Sequence, residues 1–184
     1  MAVLVVTLPG PLVSLDEAKA HLRVTSDDEN DSIEGYIAAA CAWIDGPWGW
    51  LGRCIGKHVL EVRSNVFGGF SRLPLGPVQA IVSVQYVAAD GVERTLDPAE
   101  YVLDDDAMDR APGFAWPLLR GDPNGVRVRY EAGFVEVPKP VKQAVLLLVG
   151  QWFSVREAVN VGNIVTEPPF AVRALLGPYR IIRV

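Results

Sequence analysis

The residues in this chain that could support chemistry are few, and the densest group is acidic. The run "DDDAMD" at 104–109 clusters carboxylates, which are the ligands that calcium and magnesium prefer. Met108 stands where an EF-type calcium loop needs an oxygen ligand, and no downstream glutamate has the right spacing. We therefore interpret Asp104, Asp105 and Asp106 as a solvated acidic loop.

The histidines and cysteines do not complete a catalytic site. His21 falls in a predicted helix and His58 in a predicted strand, and each is interpreted as an ordinary surface or half-buried residue. Cys41 and Cys54 lack Cys-x-x-Cys spacing and are interpreted as reduced thiols. Nucleophile-elbow, phosphate-loop and dinucleotide motifs are also missing from the sequence. We predict no catalytic residue, no metal site and no cofactor, with a small metal-dependent hydrolase using Asp104–Asp106 or His58 as a remote alternative.

Composition limits the classes of function further. Of 184 residues, 50% are hydrophobic and 21% charged, which predicts a folded protein with a sizeable core. The formal net charge of −5 argues against a nucleic-acid-binding regulator, as does Glu131, which interrupts the basic row of Arg127 and Arg129. The opening "MAVLVVTLPGP" lacks the basic region of a signal peptide. No stretch reaches the roughly 18 apolar residues of a membrane span.

Two amphipathic helices are predicted near the amino terminus, after a short extended arm at 3–6. Ser14 and Glu17 have capping-box spacing at the start of the first helix. A second helix is predicted at about 28–45, and "SDDE" before it repeats the capping pattern. The run "DGPWGWLGR" then ends this helix, and its residues Trp48 and Trp50 are interpreted as packing over the helix end.

The pattern next changes from helix to strand. "KHVLEVR" at 57–63 and "GVRVRYEAGF" at 125–134 alternate, "VQAIVSVQYV" at 78–87 is rich in β-branched residues, and "YVLDD" continues the pattern. Asp90–Gly91 supplies a hairpin turn, because glycine accepts the positive φ that a tight turn requires. These segments predict an antiparallel β unit with one solvated face.

Helix returns in "VPKPVKQAVLLLVGQWF", whose prolines are tolerated in a first turn. This helix is apolar nearly all round, since Leu146, Leu147 and Val149 fall outside its main stripe. Residues 154–169 are predicted as a loop, or as a helix end followed by a loop, and a short helix is predicted at 169–177. The C-terminal tail, residues 178–184 ("PYRIIRV"), mixes apolar and cationic residues. The over-apolar helix and the tail predict contacts with other protein chains.

The order of elements predicts an α+β fold. A helical core of about four helices carries an antiparallel β unit, which is inserted between the N-terminal and C-terminal helices. We predict one domain at 1–184, with N-terminal helices at 1–53, the β insertion at 57–134, C-terminal helices at 138–177 and the tail at 178–184.

An ordered series of motifs across nearly the whole chain resembles one family. The series runs "SLDEAKAHLRV", "LGR", "LPLGPVQAIVSVQYVAADG", "LDPAEYVLD", "GVRVRYEAGF", "VPKPVKQAVLLLVGQWF", "REAV" and "ALLGPYR". It is similar to the head–tail connector (adaptor, or head-completion) proteins of tailed bacteriophages and gene transfer agents. The chain departs from the family pattern in its tryptophan-rich "DGPWGW" and in "IIRV" at its end.

The resemblance implies a non-enzymatic structural subunit in the neck of a virion or phage-like particle, assembled in the cytoplasm of the bacterial host. Copies would form a ring, usually of twelve, beneath the portal protein. The ring would extend the DNA channel, through which DNA passes without specific binding, and would offer a platform to a stopper or tail-side neck protein. A stopper or tail-completion protein is the alternative within the neck. No membrane partner is implied.

The resemblance also assigns residues. The family's C-terminal segment engages the portal, which implies this role for Leu175, Leu176, Pro178, Tyr179 and Arg180. Physical reasoning extends the portal-binding segment to the last four residues, Ile181, Ile182, Arg183 and Val184, because an extended strand beyond a proline can fill a groove. Candidates for contacts between subunits are Leu146, Leu147, Val149, Trp48 and Trp50. Asp104, Asp105 and Asp106 are candidates to face the channel, where they would repel DNA phosphate.

Overall fold

The computed structural model describes residues 3–155 and 170–181 and has the expected α+β architecture. The chain forms two compact units. The sheet unit comprises Met1–Pro9 and Lys57–Val135, and the helical unit comprises Gly10–Gly56 and Glu136–Val184. The antiparallel β unit is therefore inserted between N-terminal and C-terminal helices, as predicted. The single-domain boundaries given above stay a prediction.

The sheet unit is built on five antiparallel strands. In spatial order they are β1 (Val3–Thr7), β2 (His58–Ser64), β7 (Val126–Ala132), β3 (Val78–Val87) and β4 (Glu93–Thr95). A separate two-stranded hairpin consists of β5 (Tyr101–Asp104) and β6 (Ala107–Arg110). The predicted turn at Asp90–Gly91 joins β3 to β4, with Gly91 at φ +85°.

Alternation along β7 decides which face of the sheet is core. Val126, Val128 and Tyr130 are buried, whereas Arg127 and Arg129 lie on the opposite, more solvated face. The Tyr130 hydroxyl donates to the Pro74 carbonyl oxygen at 2.7 Å, so its polar end is satisfied within the core. The predicted division of β7 into an apolar and a polar face is confirmed.

The amino-terminal arm is an edge strand and not a free extension. Residues of β1 pair with β2, with Leu4 opposite Glu61 and Val5 opposite Leu60. Local sequence pattern could not predict this pairing, because the partner strand lies more than fifty residues along the chain.

The acidic run at 104–109 lies mostly in the β5–β6 hairpin. Asp105 occupies its turn with φ +48°, a left-handed conformation that aspartate tolerates better than most residues. Strand β6 was not predicted, and its Met108 side chain is buried. The expected solvated loop is therefore a tight turn between two paired strands.

The helical unit contains α1 (Leu15–Leu22), α2 (Asn30–Ile44), α3 (Lys139–Ser154) and α4 (Phe170–Leu176). The predicted capping box is confirmed: the Glu17 amide donates to Ser14 Oγ at 3.1 Å, and the Ser14 amide donates to Glu17 Oε2 at 2.8 Å. The predicted cap at "SDDE" is wrong. Glu29 is the N-cap of α2 and makes no side-chain capping bond, while Ser26 Oγ accepts the Asp28 amide instead.

Apolar stripes hold the long helices in place. The predicted stripe of α2 is buried at Ile33, Ile37, Ala40 and Ile44. Residues buried on α3 are Val141, Ala144, Val145, Leu148 and Val149. The predicted loop at 154–169 lies almost entirely outside the described residues. Among the helices that the structure describes, none has the length and apolarity needed to cross a lipid bilayer.

Candidate interaction site at the C-terminal tail

One face of helix α4 is buried, and this positions the start of the C-terminal tail. Val172 and Leu176 are fully buried, and Leu175 is half-buried. Leu176 was expected to bind the portal, but its side chain is already in the core of the helical unit. Leu175 keeps part of its surface open to a partner.

The backbone turns before it becomes extended. Gly177–Tyr179 form a 3₁₀ turn, in which the Arg180 amide donates to the Gly177 carbonyl at 3.2 Å. Pro178 was expected to free the chain immediately, but extended geometry begins only at Arg180, with φ −78° and ψ 129°. Proline fits the first turn of such a helix because it lacks the amide that would be unpaired there. Tyr179 is half-buried, and Arg180 and Ile181 are exposed.

A pair of tryptophans lies beneath Arg180. The guanidinium carbon of Arg180 lies 4.2 Å from the centre of the Trp50 ring, which is cation–π geometry. Trp50 in turn stacks on Trp43 of α2, with ring centres 5.7 Å apart and planes 18° from parallel. Backbone bonds hold the turn against α2, since the Trp50 amide donates to the Trp43 carbonyl at 2.8 Å. Trp50 therefore packs over the helix end as predicted.

The next tail residue is bound through its backbone. The Ile181 amide donates to the Leu51 carbonyl at 2.9 Å. Gly52 has φ +66°, and a β-carbon there would lie only 2.6 Å from the Ile181 carbonyl oxygen. The positive φ of the turn favours glycine at this position, and the close approach of the tail carbonyl leaves no room for a β-carbon. Ile182, Arg183 and Val184 lie outside the described residues.

Trp48 differs from its neighbour. Its side chain is 85% exposed, so the expectation that it packs over the end of α2 is wrong. A large exposed ring of this kind is available to a partner chain.

The candidate subunit-contact residues of α3 are not equivalent. Leu146 and Leu147 are half-buried, so both retain apolar surface. Val149 is fully buried, and its candidacy for an intersubunit contact is corrected because it packs inside this chain.

The three aspartates at the β5–β6 turn also differ in their exposure and contacts. The Asp106 carboxylate accepts the Val78 amide at 2.8 Å, and its carbonyl accepts the Leu73 amide at 2.6 Å. Asp106 therefore organises the 73–78 segment and is a poor candidate for a channel-facing residue. Asp104 and Asp105 are exposed. His58, the other residue of the hydrolase alternative, is buried on β2 and not at the surface or half-buried as expected.

The basic residues of the sheet face are paired with acids. Glu61, only 3% exposed, accepts Arg129 Nε at 2.7 Å and binds Arg63 at 2.7 Å. Burial raises the pKa of the Glu61 carboxyl, but hydrogen bonds from Arg129 and Arg63 outweigh it and hold the pKa below its ordinary value. Arg127 pairs with Glu93. These pairs favour the interpretation of a sheet surface over that of a phosphate-binding face.

Sequence reasoning missed Leu51 and Gly52, which contact the tail, and Trp43, which stacks on Trp50. Glycines and tryptophans in "DGPWGWLGR" signalled a turn with large rings. Nothing local in that segment indicates that a strand from the far end of the chain crosses it.

Comparison with known proteins gives one family match and several structural matches. Residues 12–89 match the phage gp6-like head-tail connector protein family. A chain in the neck of an empty gene transfer agent particle, computed with C6 symmetry, is 26% identical with a TM-score of 0.72. The match covers 100% of this chain and 97% of that one. The resemblance to head–tail connectors is confirmed.

Two further structures bear on the connector fold. A chain in the virion of a native gene transfer agent particle is 25% identical, with a TM-score of 0.72 and coverage of 100% and 97%. A chain in the neck of a native particle, computed with C12 symmetry, has the same coverage at 24% identity and a TM-score of 0.64, and it shows the fold alone. Among curated proteins, none matches the chain.

Proposed function

We propose that this chain is a structural adaptor subunit of a particle neck, where copies form a ring beneath the portal protein. The ring extends the DNA channel and gives the next neck or tail protein a surface to bind. The observation that carries the proposal is the full-length similarity, at 26% identity, to a chain in the neck of a gene transfer agent particle. Sixfold symmetry in that neck is compatible with a ring of twelve.

The tail is proposed to bind the portal. Arg180 and Ile181 are exposed, and Arg180 has an extended backbone, so they present a guanidinium and an apolar side chain to a partner. Arginine combines a planar set of donors with a long stem and is a frequent anchor at protein interfaces. Repetition around a ring would multiply a modest affinity for each copy.

Copies are proposed to contact one another through apolar surface that this chain leaves open. Leu146 and Leu147 on α3 and the exposed Trp48 ring are the described candidates. Apolar surface of this type is stabilised by removal from water. The interior of the ring would carry acidic residues, of which Asp104 and Asp105 are the exposed candidates.

Deletion of Pro178–Val184 tests the proposal. The deletion removes no side chain that is fully buried among the described residues, so thermal unfolding of the helical and sheet units is expected to change little. Association with purified portal rings is expected to fall below detection in co-sedimentation. A second variant replaces Ile181, Ile182 and Val184 with serine and keeps the chain length. It should also lose portal binding, because it removes apolar side chains of the proposed binding segment. Retention of portal binding by the deleted chain contradicts the proposed role of the tail. Binding only to a tail-side neck protein would favour the stopper alternative.

A further inference from the structure

We infer that the turn after α2 is a seat that orients the C-terminal tail before the tail meets its partner. The tail seat consists of Trp50, Leu51 and Gly52, and Trp43 of α2 supports it by stacking on Trp50. The inference rests on the proposed function in one respect, that the tail binds the portal. It adds a set of positioning residues that lie far from the tail in sequence.

Three independent contacts define the tail seat. The Trp50 ring lies under the Arg180 guanidinium at 4.2 Å, and the Leu51 carbonyl accepts the Ile181 amide at 2.9 Å. Gly52 leaves room for the Ile181 carbonyl, which a β-carbon would meet at 2.6 Å. Together these contacts fix both the side chain of Arg180 and the backbone of Ile181. The position of the last described residues of the tail is thereby set.

The seat leaves the binding groups of Arg180 available. A guanidinium that stacks on a ring uses its flat face, while its N–H donors point outward in the plane. Among the described residues, none accepts a hydrogen bond from the Arg180 guanidinium and no carboxylate pairs with it. Trp50 therefore holds the group without consuming its donors, and a carboxylate on a partner can still bind it in two-point fashion.

A tail that is held in position before binding should have a higher affinity for the portal. Ordering one backbone residue on binding weakens an equilibrium by roughly five- to thirty-fold, and residues already held avoid part of that loss. The intact chain should therefore bind the portal more tightly than a free peptide of residues 177–184. Disruption of the seat should lower the affinity of each copy toward that of the peptide.

The first test measures the seat in the isolated full chain. Hydrogen exchange at the Ile181 amide is expected to become about three- to ten-fold faster in Trp50→Leu, because a cation–π contact and a positioned hydrogen bond are weakened. Trp50→Phe keeps a ring face and should restore part of the protection. Trp48→Leu, on the same turn, should leave it unchanged. Equal exchange in wild type and Trp50→Leu overturns the inference.

A second variant separates the seat from the strain of the turn. Gly52→Asn is chosen because asparagine tolerates positive φ, yet its β-carbon still meets the Ile181 carbonyl. It should accelerate Ile181 exchange while the thermal midpoint stays close to that of wild type. If substitutions at position 50 or 52 prevent folding, Arg180→Gln provides another test. It removes the cation–π contact with Trp50 by changing an exposed residue that lies outside the core.

The third test compares portal binding by the full chain and by the 177–184 peptide. We expect Trp50→Leu to weaken portal binding by the full chain about three- to ten-fold, toward the affinity of the peptide, which lacks the tail seat. An affinity that rises in Trp50→Leu would overturn the inference, since the seat would then sequester the tail. Failure of both chain and peptide to bind would overturn the proposed function, and with it the portal role of the seat. The exchange rates would still report whether the seat holds the tail.

Discussion

The arginines of the sheet and the arginine of the tail are held in different ways. On the sheet, Arg63 and Arg129 share the buried carboxylate of Glu61, and Arg127 pairs with Glu93. In the tail, Arg180 rests on the face of Trp50. Carboxylates consume the donors of an arginine, whereas an aromatic face leaves them free.

This difference separates surface that stabilises the fold from surface that can bind. Each of these sheet arginines is paired with a carboxylate within the chain, so its donors are less available to phosphate or to a partner. Arg180 is positioned by Trp50, and no carboxylate among the described residues pairs with it. A basic residue is therefore a candidate for binding only after its acidic neighbours are known. For Arg127 and Arg129 these neighbours lie on other strands, far away in the sequence.

The largest loss of stability is expected when a core residue of α4 is truncated. Leu176→Ala removes a fully buried side chain and should lower the free energy of unfolding by about 2–4 kcal/mol, because it leaves a cavity. Leu175→Ala, at a half-buried position one residue earlier, is the matched control and should cost less than about 1 kcal/mol. Urea denaturation measures both. Similar losses in the two variants would contradict the assignment of Leu176 to the core and Leu175 to a binding surface.

A smaller loss is expected on the sheet. Glu61→Gln removes the charge that Arg63 and Arg129 share and should lower the free energy of unfolding by about 1–3 kcal/mol. Glu93→Gln, which removes the exposed partner of Arg127, should cost less than about 1 kcal/mol. An equal cost for the two variants would mean that burial adds nothing to the Glu61 pairs.

The difference in stability between wild type and Glu61→Gln should depend on pH in a defined direction. The folded-state pKa of Glu61 is lowered, so its contribution is fully present above the unfolded carboxyl pKa of about 4.3. The contribution disappears as pH falls through the lowered folded-state pKa. The stability gap between wild type and Glu61→Gln should therefore be widest near neutral pH and narrow in acid. A gap that widened below pH 4 would refute the assigned pairing.

Local pattern predicted the element types well. The Ser14–Glu17 capping box, the α2 stripe and the alternation of β7 each depend on residues within a few positions of one another. Periodicity and capping act at that range, so one sequence is sufficient to read them. The same reasoning failed at Ser26, where the hydroxyl binds an amide before the helix and not within it.

Long-range contacts could not be predicted. The pairing of β1 with β2, the Asp106 carboxylate on the Val78 amide and the tail seat each join distant segments. Each requires a specific alignment of two segments that no periodicity encodes. The tail itself was identified from composition, because apolar and cationic residues without acids are unusual at a chain end. Its partner within the chain, Trp50 and Gly52, was visible only as a turn.

The weakest predicted effect is on binding to duplex DNA, which tests whether the sheet arginines are less available than Arg180. The wild-type chain should show no salt-sensitive binding to duplex DNA, because its sheet arginines are paired and its net charge is −5. The double variant Glu61→Gln and Glu93→Gln frees Arg63, Arg127 and Arg129, and weak binding should appear near 50 mM salt and vanish by 200 mM. Fluorescence anisotropy of a labelled duplex measures this, with the Arg180→Gln chain as a control that should behave as wild type. Tight, salt-sensitive binding by the wild-type chain would show that the paired sheet arginines still bind phosphate. The distinction between paired and open arginines would then be wrong.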